Sequence, residues 1–209
     1  MLDLAPAAYE VIHLLERVKQ EQLTRPTPCA GISVAALLDH FMGLALVFTW
    51  GARKTVPPDA SSTSPRADAA SLDPNWRTIL PERLDQLVEA WRDPAAWRGM
   101  TEVAGVPMPA ETMGAVVLDE LVLHGWDLAR ATGQPFRCDP ASTEAVLRFT
   151  ADSARPENVA TRQGVFGPVV EVPPDAPPLD RALGYAGRDP SWTPNAAKGN
   201  PLSASDPAD

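Results

Sequence analysis

Glu120 and His124 stand four residues apart in DELVLHGWDLARATGQP, a stretch whose apolar residues recur at helical spacing. On a helix that spacing sets the two side chains about 40° apart around the axis and about 6 Å apart along it, so both reach one cation. The same spacing holds two histidines on zinc in HExxH sequences, although a single ExxxH pair is common by chance. His40 adds a third donor. It lies at the centre of the stripe Val34, Leu37, Leu38, Phe41, Leu44 and Phe48, with Leu37 and Leu44 as neighbours on that face, so it points inward. A buried imidazole and a buried carboxylate are each costly unless partnered, and one divalent cation satisfies all three groups. Three protein ligands leave a position open for water or substrate, the arrangement of catalytic rather than structural zinc sites. Imidazole and carboxylate suit Zn2+ and equally admit Ni2+ or Fe2+.

The same residues have a metal-free reading, in which His40 bonds a backbone carbonyl and Glu120 pairs with Arg130 or another arginine. Asp127 shares the helix face of Glu120 and His124. It can orient an imidazole, serve as a fourth ligand, act as the proton acceptor of a reaction, or make a plain surface salt bridge. Arg130 continues toward that face, where it either holds an anionic substrate or cofactor or simply faces water in a last helical turn. Trp126 reads as core, and His13 as a boundary histidine that could also approach the site. Cys29, just ahead of the second helix, reads as a small apolar residue or as a nucleophile at a helix start. Asp39 and Asp119, about 100° away from their neighbours His40 and Glu120, are expected to face water.

These residues need long helices to position them, and the 23 prolines delimit where such helices run. Five windows between prolines carry helical periodicity: 7–25, 29–56, 82–93, 110–134 and 141–155. Val11, Leu14, Leu15 and Val18 stripe the first, and Ser33 is a suitable N-cap for the second. Residues 57–73, rich in Pro, Ser and Asp, read as a polar crossover. Residues 164–172 suggest an extended segment or short hairpin, and 179–185 a last short helix. Beyond Arg188 the chain is too polar to offset its ordering entropy.

With 209 residues and a formal charge of -9, one domain is expected, and a nucleic-acid backbone or an anionic membrane surface is a poor partner. There is no basic, apolar leader and no uninterrupted apolar stretch of spanning length, so a cytoplasmic protein is expected. The two cysteines, Cys29 and Cys138, cannot form a disulfide framework or a four-thiolate zinc site.

Three stretches give the chain a family likeness: TPCAGISVAALLDHF around His40, DELVLHGWDLARATGQP around Glu120 and His124, and GVFGPVVEVPPDAPPLDRALGYAGRDP downstream. In these the sequence resembles the DinB-like superfamily, in particular proteins related to mycothiol-dependent maleylpyruvate isomerase. The family's metal histidine falls on His40 and its ExxxH pair on Glu120 and His124. The resemblance implies an all-α fold, a DinB-like four-helix bundle over residues 1–136 with a small α/extended extension over 137–188, while the polar composition makes 189–209 a disordered tail. It implies a divalent metal, zinc or a similar ion, and a low-molecular-weight thiol such as mycothiol or bacillithiol as cosubstrate. The chain departs from its relatives at Ile32, where a tryptophan commonly follows the Cys-x-Gly, which bears on pocket shape rather than on the ligands.

Taken together, these readings give a metal-dependent enzyme that activates a mycothiol-like thiol for isomerisation of, or transfer to, a small electrophile. Its rivals are a non-catalytic metal- or ligand-binding bundle in sensing, sequestration or detoxification, and a metal-free structural bundle. Partners are then a small-molecule substrate and a thiol, with a homodimer compatible.

Overall fold

The computed structural model describes residues 1–55, 65, 67–162 and 165–194. Pro6 opens α1 (Ala5–Leu15), where its missing N–H is no loss, and Val11, Leu14 and Leu15 turn inward from it. Ser33 caps α2 (Val34–Arg53) by accepting from the Ala36 N–H at 3.3 Å. Both helices are shorter than their proline-free windows. The chain leaves α1 after Leu15 and turns through a short 3-10 segment, and α2 begins only at its serine cap.

Pro81 lies inside α3 (Trp76–Arg92) rather than ahead of it, so the expected start near residue 82 is corrected upstream. One backbone hydrogen bond is lost at Pro81. Trp76 and Leu80, both buried on the core side, supply the packing that carries the helix through it. A hairpin that periodicity did not indicate follows, β1 (Met100–Val103) paired antiparallel with β2 (Val106–Pro109). Its two-residue turn, Ala104-Gly105, has positive φ at both positions (51° and 80°), the conformation that matches the twist of the strands.

The longest helix, α4 (Ala110–Thr132), ends where Gly133 enters the left-handed region at φ 73° and Gln134 N–H donates to Ala129 O. Helices α1 to α4 pack on one another around Val11, Leu38, Phe41, Leu84, Trp91, Val117 and Leu121. This is the all-α bundle that the sequence resemblance implies. By length and composition α2 could cross a membrane, but 72% of its apolar window is buried inside the protein, as suits a core helix.

Downstream, Asp139 caps α5 (Pro140–Ser153), and the short α6 (Val159–Arg162) and α7 (Pro178–Tyr185) follow. Helix α5 packs on both α4 and α7, tying this part of the chain to the bundle. Residues 165–173 form no strand; Val170 N–H donates instead to Gly184 O at 2.9 Å. Residues 189–194, expected in the tail, form turns that bring Trp192 against the core. Most of the expected crossover at 57–73, and residues 195–209, lie outside the described residues.

Candidate metal centre

His40 leaves the apolar face of α2, and Glu120 and His124 leave α4 opposite it. Because α2 and α4 are neighbours in the bundle, residues 80 apart in sequence meet. One ligand atom from each lies within 4.8 Å of the other two. Glu120 Oε2 is 3.0 Å from His124 Nε2 and 3.7 Å from His40 Nε2. Donors bound about 2.1 Å from one tetrahedral ion stand about 3.4 Å apart, and the two separations bracket that value. The imidazoles meet edge to face, with ring centroids 5.0 Å apart.

Both rings are held from behind. His40 Nδ1 lies 3.2 Å from Pro65 O, and since a carbonyl only accepts, Nδ1 carries the proton. His124 Nδ1 donates to Asp127 Oδ2 at 3.0 Å. In each case Nε2 is the nitrogen turned toward Glu120, the orientation a metal-ligating histidine needs.

Glu120 Oε2 is buried and makes no aligned hydrogen bond among the described residues. Its attraction to the imidazoles is one of charge and proximity. Burial pushes the Glu120 carboxyl up, but the two imidazoles outweigh it and hold the group well below the usual carboxylate range. Burial likewise pulls the His124 imidazole down, and its contacts with Asp127 and Glu120 win, raising it to about 9. Such a point of negative potential between two nitrogens holds either an extra proton or a cation. The orphaned oxygen and the donor set therefore fit a divalent metal.

Asp127 is fully buried and accepts from Arg188 as well as from His124: Nη2 to Oδ2 at 3.0 Å and Nε to Oδ1 at 3.3 Å. Burial would raise its carboxyl, yet Arg188 and His124 hold it below its ordinary value. Its place is thus behind His124, as the acceptor that fixes the ring. The metal-free reading is met in part, since His40 does bond a carbonyl, but Glu120 pairs with imidazoles and, among the described residues, with no arginine.

A cavity of about 660 Å³ opens onto the three donors. Its walls include Cys29 and Ile32 from the segment before α2, Phe166 and Pro168 from the stretch after α6, and Arg188 from beyond α7. Burial, followed by the Asp127 charge, pushes the Cys29 thiol up, which is unlike an activated nucleophile. Arg130 is not among the cavity's lining residues. Its guanidinium donates to Trp192 O and lies 5.8 Å from the centroid of the buried Trp126 ring. His13 is exposed on α1, 4.0 Å from Glu16, and takes no part in the site.

Two charged residues of the cavity were not anticipated. Arg188 lies just past α7, where no periodicity signals it. Asp119, expected to face water, is 4% exposed and lines the cavity. Burial and the neighbouring Glu120 charge push its carboxyl well above the usual range, against Arg188 and His124. The available signal was the apolar character of α4 on all sides, with Val116, Val117, Leu118, Leu121, Val122 and Leu123 leaving no wet face.

Two relatives, both described as uncharacterized proteins of Mycobacterium tuberculosis (strains CDC 1551 and H37Rv), are 28% identical to this chain over 183 residues, covering 84% of it and 90% of theirs. No solved structure gives a significant match. Residues 4–129, which span α1 to most of α4 and hold all three donors, match the family described as the mycothiol maleylpyruvate isomerase N-terminal domain. With that match covering more than half of its length, the chain belongs to the mycothiol maleylpyruvate isomerase N-terminal domain family.

Proposed function

We propose that the protein is a divalent-metal-dependent enzyme that activates a low-molecular-weight thiol, mycothiol or a close chemical relative, for isomerisation of a small electrophile or transfer to it. The observation that carries this reading is the buried, orphaned Glu120 Oε2 between two imidazoles at the base of a cavity large enough for a small organic ligand. His40, Glu120 and His124 would hold the ion. A divalent cation there lowers the pKa of a thiol that reaches it, making the thiolate available near neutral pH.

The chain's own residues do the remaining work. Asp127 keeps the proton of His124 on Nδ1, so that Nε2 faces the ligand side. Arg188 neutralises Asp127 and presents the positive edge of the cavity. Leu37, Leu123 and Phe166 give the cavity apolar walls that limit water around a reactive thiolate. Zinc is the metal we favour, from the two-imidazole, one-carboxylate donor set.

The test is thiol consumption by purified protein with zinc, mycothiol and a panel of electrophiles that includes maleylpyruvate, set against His124→Ala. Turnover by the natural chain and none by the variant is expected; equal consumption by both would remove the proposal. The commitment of Asp127 to Arg188 and His124, which withholds it from proton transfer, favours one rival: a non-catalytic bundle that binds a metal and a ligand for sensing, sequestration or detoxification. Ligand-induced thermal stabilisation without turnover of any electrophile is the result that selects it.

A further inference from the structure

Asp119 is a buried polar side chain that the metal site does not use. It is 4% exposed, lines the same cavity as the three donors, and its Oδ1 has no hydrogen-bond partner among the described residues. The mature interior of a helix bundle seldom leaves such an atom unpaired, because the lost hydration is not recovered. Asp119 also precedes Glu120 on α4, about 100° round the helix and about 1.5 Å along it, so a ligand seated beside the donor set passes this oxygen.

The surroundings restrict what can pair with it. Arg188, the guanidinium that interacts with Asp119 through charge, is already engaged by both oxygens of Asp127 and by Ala186 O. Glu120 and Asp127 make the vicinity of Asp119 unfavourable for a ligand carboxylate or phosphate. A carboxyl keeps an acceptor oxygen whether or not it is ionised, so a ligand donor satisfies it in either state.

We infer that Asp119 is the specificity-determining residue of the cavity, accepting a hydrogen bond from a hydroxyl or amide N–H of the bound thiol. The ligand class is then a thiol decorated with neutral polar groups, and plain alkyl thiols are discriminated against. The discrimination works as it does in sites built to bond a substrate hydroxyl: a ligand lacking the donor leaves the buried oxygen unpaired. This inference rests on the thiol-binding reading above.

The experiment loads the full chain with cobalt and titrates it with mycothiol and with ethanethiol, following the thiolate-to-cobalt absorption to obtain each Kd. The natural chain is expected to prefer mycothiol by at least about tenfold, and Asp119→Leu to reduce that preference by about tenfold. Asp119→Ala, which removes the oxygens without adding bulk, gives the same readout if the leucine variant does not fold. Either variant keeping the full preference, or a natural chain without one, overturns the role of Asp119 while leaving thiol binding intact. A chain that takes up no cobalt, or whose absorption neither thiol changes, overturns the thiol reading and this inference with it.

Discussion

Arg188 grips Asp127 with two nitrogens, Nη2 on Oδ2 at 3.0 Å and Nε on Oδ1 at 3.3 Å, and the same Oδ2 accepts from His124. The residue just beyond α7 is thereby linked through one buried carboxylate to a donor on α4. The family match ends at residue 129, so this contact joins the matched bundle to the chain that follows it.

Removing one member of a buried charge pair costs more than removing both, because the survivor stays desolvated. Arg188→Leu is therefore expected to destabilise the metal-free chain by about 3–5 kcal/mol in chemical denaturation. Combining it with Asp127→Asn should recover part of that loss. Additive losses in the double variant would mean that the two side chains act independently.

Asp127→Asn alone tests the link in the other direction. An asparagine can still occupy the space, but it weakens the hold on the His124 ring, so zinc affinity should fall about 10- to 100-fold. Competition against a chelator of known affinity reads the change. An unaltered affinity would mean that His124 is positioned without its carboxylate.

The pH dependence follows from His124. Its imidazole stands at about 9 in the folded metal-free chain against an ordinary value of 6.5. A group raised on folding stabilises the folded state fully below the unfolded value, and that contribution is lost as pH rises to the folded one. Thermal denaturation of the metal-free chain should show this loss between pH 6.5 and 9, and His124→Phe should abolish it. Metal uptake runs oppositely: the cation displaces the extra proton, so affinity climbs across the window and levels off above it. Zinc affinity that stays flat over that range contradicts the assignment.

Gly114 gives a test of packing away from the site. A methyl group there would stand 2.2 Å from Trp97 Cζ3, and the ring is fixed by its Nε1–H donating to Trp91 O at 2.7 Å. Gly114→Ala should cost about 1–3 kcal/mol through overpacking, despite the better helix propensity of alanine. A stabilised variant in urea titration would show that Trp97 is free to move.

The donor set was legible in the sequence because two local rules converge on it. Helical spacing pairs Glu120 with His124, and the apolar stripe of α2 turns His40 inward. Pro81 misled because its effect on one hydrogen bond was weighed without the burial of Trp76 and Leu80 in the turns just before it. Asp119 was misplaced because an angular argument from Glu120 assumes that α4 has a wet face, whereas α1, α2 and α5 all pack on that helix. Arg188 had no signal in periodicity, although it lies within the downstream stretch that carries the family likeness. Its position depends on Gly167 and Gly187 crossing so closely that a Cβ on Gly187 would lie 2.8 Å from the Gly167 carbonyl carbon, a contact between distant loops.

Whether His40, Glu120 and His124 share one cation is decided by calorimetric titration of zinc into chain purified without a polyhistidine tag. One zinc per chain is expected, with affinity reduced at least about 100-fold in each of His40→Ala, Glu120→Gln and His124→Ala. Binding far below one equivalent, or variants that bind zinc as tightly as the natural chain, would contradict it.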